Sequence, residues 1–182
     1  YLLQSSTQQV KATYALPQPE STLASNHNNA VTTVTVASGG HTALGVAQNS
    51  YILIGSEVML VSGAVSSEAL TVTRAQASTT ASAHVDGAKV YLLTESTLDG
   101  ALTDSATTVN VDLNTGGLGA AANTYILIGS EVLKVTAVST NALTVIRAQD
   151  GTTATTHLDA AKVFLLKSNV KIEKEPYAKQ IT

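Results

Sequence analysis

Five kinds of chemistry-bearing side chain occur twice in this chain, each time in the same local setting. Glu57 and Glu131 follow "IGS"; Arg74 and Arg147 precede "AQ"; His84 and His157 stand two residues ahead of Asp86 and Asp159; Lys89 and Lys162 open "KVYLL" and "KVFLL". A carboxylate beside an imidazole can act as general base or metal ligand. A guanidinium with a carboxylate can form a bidentate clamp. Each copy offers one histidine and no second one close in sequence, so metal-ligand spacing is missing. The histidine then reads as a hydrogen-bonding tie between a loop and the strands. For the arginines, the only two in the chain, two readings stand. In one, each clamps its strand to an acid of a neighbouring hairpin or of the "TTA" loop. In the other, all these charges are solvated strand ends carried along by duplication. His27 and His41 have no counterparts and are expected in exposed loops.

Other catalytic signatures are absent. Ser56 and Ser130 lie in "GSE", which is not the Gly-x-Ser-x-Gly elbow of a serine nucleophile, and they read as turn hydroxyls. No glycine-rich phosphate loop or EF-hand spacing occurs. The chain has no cysteine, which excludes disulfides, thiol chemistry and cysteine-ligated zinc. No cofactor or metal is implied, and an enzyme is the least favoured class.

The paired residues belong to a long internal repeat. "SYILIGSEVMLVSGAV" returns as "TYILIGSEVLKVTAV", and Ala69–Leu93 returns as Ala142–Leu166, with more than half of the positions identical. The first copy carries one extra residue near Gly63. A period of 73 to 75 residues exceeds the 20–50 of solenoid repeats. It predicts two tandem domains, residues 21–95 and 96–168. Short runs rich in Val, Ile, Leu, Thr and Tyr, punctuated by Gly, Ser, Asn and Asp, predict strands. In "LTVTR", Leu70, Val72 and Arg74 share one face. "IGSE" predicts a tight turn with Gly55 and Gly129 at positive φ. "GVAQNS" has room for one helical turn. The fold class is all-β: two copies of a small antiparallel barrel or sandwich. The expected cores comprise Ile52, Ile54, Val58, Leu70, Val72, Val90 and Leu92, and then Ile126, Ile128, Val132, Leu143, Val145, Val163 and Leu165.

Residues 1–20 and 169–182 have no counterparts and read as extended arms. Tyr1, Leu2 and Leu3 in the first, and Val170, Ile172 and Tyr177 in the second, are spaced to meet another surface rather than to build a core. Charged residues are scarce, at 13%, and the net charge is -3. With no basic patch, nucleic acid is not an expected partner. No apolar run approaches the ~20 residues of a membrane span, and the first twenty residues lack the order of a secretory signal.

The run "YILIGSEVLKVTAVS" followed by "ALTVIRAQDGTTATTHLDAAKVFLL" resembles a module of tailed-bacteriophage virion structural proteins. Its pattern is a strand pair ending in "IGSE", then "LTV-x-R-x-Q-x-G-TTA", then "H-x-x-G-A-x-V". The second copy keeps Gly151 but has Ala160 for the later glycine. The first has Ser78 for the earlier glycine and keeps Gly87. Both have alanine (Ala75, Ala148) after the arginine, where the pattern often has glycine. The resemblance covers both copies and neither arm. It implies a virion location after assembly in the host cytoplasm. It also implies partners among virion proteins, the major capsid protein first, and a homo-oligomeric, non-enzymatic role. A capsid decoration or cement protein is the leading expectation and a tail, baseplate or fibre-attachment component the second. A cell-surface adhesin or carbohydrate-binding module is the alternative of another class, disfavoured because the chain has no Trp to stack on sugar.

Overall fold

A computed structural model of the chain describes residues 18–112 and 118–167. The six arm residues Tyr1, Leu2, Leu3, Val170, Ile172 and Tyr177 lie outside the described residues.

The described chain is nearly all β and antiparallel. The strands are β1 (Glu20–Thr22), β2 (Thr33–Thr35), β3 (Tyr51–Ile54), β4 (Glu57–Val61), β5 (Ala69–Thr73), β6 (Lys89–Thr97), β7 (Thr108–Asn110), β8 (Tyr125–Ile128), β9 (Glu131–Ser139), β10 (Ala142–Gln149) and β11 (Lys162–Leu166). A short helix, α1 (Gly40–Leu44), precedes β3. It corrects the expectation of a helical turn at "GVAQNS": Gly45, at φ 65°, ends the helix where that segment begins. A left-handed glycine is a common helix stop. Among the described residues no helix is long and apolar enough to cross a membrane.

Hydrogen bonding joins all the strands into one network, in the order β2-β5-β4-β3-β6-β11-β8-β9-β10-β7, with β1 added to β6. The order is a palindrome of the repeat: β5-β4-β3-β6 mirrors β10-β9-β8-β11. The pivot is β6. Its first half pairs with β3 (Ile54↔Val90 to Tyr51↔Leu93) and its second half with β11 (Thr94↔Leu165 to Thr97↔Lys162). The last strand of the first copy thus continues, without a linker, as the first strand of the second. At the other end, β1 meets β6 in the same register, Glu20↔Tyr91 matching Glu95↔Phe164.

The pairing of β6 with β11 places equivalent residues about a local two-fold. One step past Thr94↔Leu165 the same register sets Leu93 opposite its own counterpart, Leu166. Gln18 plugs this point. Its side-chain amide donates to Leu92 O, and its Oε1 accepts from Lys167 N at 3.1 Å. The glutamine is 1% exposed, which is tolerable because both ends of its amide are bonded.

Three apolar clusters follow. One lies within each repeat, around Ile52, Ile54, Leu70, Val72 and Val90, and around Ile126, Ile128, Leu143, Val145 and Val163. The third lies between the repeats: Leu53, Val58, Tyr91 and Leu93 against Leu127, Val132, Phe164 and Leu166. These are four equivalent pairs, the pattern of a two-fold interface. Val58 and Val132, expected in the repeat cores, are fully buried here instead. Leu92 is only partly buried at the edge of the first core. The strands "YILI" and "KVYLL" therefore bury both faces, one inside a repeat and one against its twin.

Candidate functional site

The clamp begins at the β3–β4 turn. Gly55 and Gly129, at φ 59° and 60°, let the chain reverse so that Glu57 and Glu131 open β4 and β9 facing inward. Both are 0% exposed. Arg74 and Arg147 come from the ends of the adjoining strands and meet them side-on. Arg74 Nε donates to Glu57 Oε1 and Nη2 to Oε2, each at 2.7 Å; Arg147 does the same to Glu131, also at 2.7 Å.

The remaining guanidinium protons go to loop carbonyls. Arg74 Nη1 donates to Asn28 O (2.9 Å) and Val31 O (3.1 Å), and Nη2 to Ser82 O (2.6 Å). Arg147 Nη1 donates to Thr103 O (2.6 Å) and Ala106 O (3.0 Å), and Nη2 to Thr155 O (2.7 Å). All five donors of each arginine are thereby used. The reading of these residues as solvated strand ends does not fit a side chain 8% exposed against a carboxylate at 0%.

Each carboxylate is as fully engaged. Glu57 also accepts from Ala75 N and Ser82 N, both at 3.0 Å, and Glu131 from Ala148 N and Thr155 N, both at 3.2 Å. His84 Nε2 lies 2.9 Å from Glu57 Oε2, and His157 Nε2 the same from Glu131 Oε2. An ionised carboxylate has only lone pairs to offer, so Nε2 carries the proton and donates. Burial by itself would raise these carboxyl pKa values. The arginine, the histidine and the backbone N–H groups together outweigh it and hold both at about 2. The acid is thus locked as an acceptor and cannot move protons near neutral pH.

The rest of the "RAQ" loop has matching mechanics. Ala75 and Ala148 sit at φ 52° and 55°, a left-handed conformation that aims their N–H at the carboxylate. Glycine would adopt this conformation without the Cβ penalty that alanine bears. Gln76 and Gln149 fold back to donate from Nε2 to the carbonyls of Arg74 and Arg147, each at 2.9 Å. Thr79 and Thr152 cap the loop: each Oγ1 donates to the glutamine carbonyl at 2.7 Å and accepts from Val58 N or Val132 N at 3.1 Å. The sequence places these four residues in the repeated "AQ" and "TTA" runs without giving them a role. Their identity in both copies was the available signal.

Two expected members do not join. Asp86 and Asp159 lie in exposed turns two residues past the histidine. Asp86 N donates to Asn26 Oδ1 at 2.7 Å; Asp159 Oδ1 accepts from Gly100 N at 2.8 Å and Ala160 N at 2.9 Å. Lys89 and Lys162 form equivalent ion pairs with Glu20 and Glu95, both at 2.7 Å. They staple the last strand of each repeat to its first, but are exposed enough to contribute little.

His27 corrects the expectation of an exposed loop. It is 7% exposed, because its backbone pairs with that of His84, N to O at 2.8 Å both ways. Thr35 N donates to its Nε2 at 3.0 Å, so Nδ1 bears the proton and donates to Ser25 O at 2.8 Å. His41 is half-buried on α1, with Nδ1 3.5 Å from Glu68 Oε1. Among the described residues no group of three or more metal-ligating side chains converges.

No family model matches the chain, and no curated protein matches it.

Proposed function

We propose that the chain is a non-enzymatic structural protein of a tailed-phage virion, most specifically a capsid decoration or cement protein. Each repeat, residues 21–95 and 96–168, serves as one small barrel module, and the arms attach the protein to neighbouring capsomers. Of the expected N-terminal arm 1–20, the last three residues are instead built into the fold, Gln18 at the seam and Glu20 in β1, so the arms are 1–17 and 169–182. The observation that carries this reading is the clamp. Among the described residues the Glu–Arg–His constellation is repeated in both copies, and in both every guanidinium donor and both carboxylate oxygens are spent on holding strands and loops. A buried, saturated ion pair specifies geometry rather than turnover.

The barrel reading of each module draws support from the ends of the strand network. Leu23 bridges Val36 and Leu98 bridges Val111, with Ala37 N donating to Thr22 O at 2.8 Å and Asp112 N to Thr97 O at 2.9 Å. These bonds draw β2 back to β1, and β7 back to the second half of β6. A rigid, charge-poor module of this kind suits repeated weak attachment on a symmetric lattice, where avidity supplies the affinity.

The test is the copy number of the protein in purified particles, relative to the major capsid protein, together with its position in images of intact particles. A decoration protein is expected on the head in on the order of hundreds of copies. A few tens at a tail or baseplate would replace this reading with that of a tail component, and absence from particles would end both.

A further inference from the structure

A recess of about 470 Å³ lies at the seam between the repeats. Ala77 and Ser78 of the first repeat form one wall; Gly129, His157, Leu158 and Lys162 of the second form floor and rim. Leu158 is 80% exposed, the most exposed large apolar side chain among the described residues. It is not left loose by a floppy loop. Arg147 holds the carbonyl of Thr155, and the backbone of His157 is paired with Leu102, N to O at 2.8 and 2.9 Å. What sets Leu158 apart from its counterpart Val85, itself 61% exposed, is that it lines this recess, so that side chain and recess form one surface that a single segment can cover.

We infer that in the free protein, before any attachment, this recess is the docking site of the chain's own C-terminal segment, with Tyr177 and Ile172 as the residues that fill it and cover Leu158. The first argument is where the described chain stops. β11 forms part of the seam, and from Lys162 on the rim to Lys167 is five residues, about 17 Å of strand. The segment 168–182 reaches about 50 Å when extended, three times the distance needed to return. A tether that short gives the segment an effective concentration in the millimolar range, so even a weak site is filled.

The second argument is chemistry. The segment alternates apolar and charged residues over "VKIEKE", and an aromatic ring follows Pro176. It carries three lysines against two glutamates. The rim carries Asp159, while Lys162 is already neutralised by Glu95 at 2.7 Å. A net positive strand with spaced apolar side chains therefore matches a net negative rim around an apolar pit. Lys162 Nζ also sits 5.4 Å from the centre of the Tyr51 ring, which fixes that side of the rim. The N-terminal segment enters beside the same end, at Gln18, but contains just one lysine among residues 1–17 and lacks the alternation.

Disulfide trapping in the full chain tests this cleanly, since there is no native cysteine. Leu158→Cys with Tyr177→Cys should oxidise at least ten times faster than Val85→Cys with Tyr177→Cys, and as a monomer. Val85 is the counterpart of Leu158 in the first repeat and is 61% exposed, so it controls for random collision. In the cysteine-free chain, Tyr177→Ser should speed tryptic cleavage after Lys174 about tenfold while leaving the melting of the body unchanged. Equal rates for the two cysteine pairs would overturn the proposal. So would faster trapping by Tyr14→Cys in the N-terminal segment, which assigns the recess to that arm. Trapping seen only in dimers would overturn it as well, since the occupant would then come from a second copy.

Discussion

The β4–β5 hairpin of the first repeat and the β9–β10 hairpin of the second start from the same words and end differently. In the first, the strands run for five residues each; in the second, for nine and eight. The extra residue at Ser62–Gly63 breaks the first ladder early. A Cβ on Gly63 would lie 2.8 Å from Thr71 Cβ, so the insertion is accommodated by the backbone pressing on the facing strand. In the second repeat, the longer ladder leaves Ile146 half exposed, where the first has Thr73. At the base of both hairpins, by contrast, the Glu–Arg–His clamp superposes bond for bond. The backbone bridge of His27 with His84 is kept as Leu102 with His157 although the side chain has changed. Sequence drift is free where strands meet water and confined where a buried charge must be satisfied.

The comparison breaks most severely at the carboxylates. Glu57→Ala and Glu131→Ala should each cost about 3–5 kcal/mol, because each strands a buried guanidinium. Chemical denaturation should find the two costs within about 1 kcal/mol of each other; a large inequality would mean that the clamps, though alike, support their repeats differently. Next come the apolar positions. Leu143→Ala, inside the second repeat, should cost about 2–5 kcal/mol. Leu127→Ala, in the shared cluster, should cost a similar amount but destabilise both repeats together. Two separate unfolding transitions in the Leu127→Ala protein would show that the seam does not couple them.

Acid tests both clamps at once. The folded carboxyl pKa is about 2 against an ordinary 4.5. A depressed folded pKa means stability that is present above about 4.5 and lost as pH falls towards 2, roughly 3 kcal/mol for each clamp. Urea midpoints between pH 6 and 2 should fall through that window. Replacing either glutamate by Gln should remove about half of the slope.

Arg147→Lys and Arg74→Lys keep the charge and lose the fork, and should each cost about 1–3 kcal/mol through unsatisfied loop carbonyls and carboxylate oxygens. The smallest effect sharpens the comparison at the backbone. Ala160 sits at φ 61° where the first repeat has Gly87 at 77°, and Ser78 sits at φ 61° where the second has Gly151 at 69°. Ala160→Gly and Ser78→Gly should each stabilise by about 0.5–1 kcal/mol, and Gly87→Ala should destabilise by a similar amount. No atom lies within 4 Å of a Cβ placed on Gly87, so in that case only the dihedral is being tested.

Much of this molecule was legible in its sequence because a duplication acts as an internal control. Residues kept in both copies of a charge-poor chain had a shared physical task, and Arg74 with Glu57 and Arg147 with Glu131 met as that logic required. The strands and the β3–β4 turn follow from local composition and from glycines that permit positive φ. Asp86 and Asp159 mislead the same logic, since kinship in sequence does not say which conserved acid an arginine can reach. Tertiary structure alone decided that Leu53, Tyr91, Leu127 and Phe164 face a twin rather than water, because a run such as "YILI" looks the same whether one face is buried or two. It alone made β6 a strand of both repeats, and put Gln18 and His27 inside. A polar side chain enters a core when distant backbone groups, brought close only by the completed fold, are there to satisfy it.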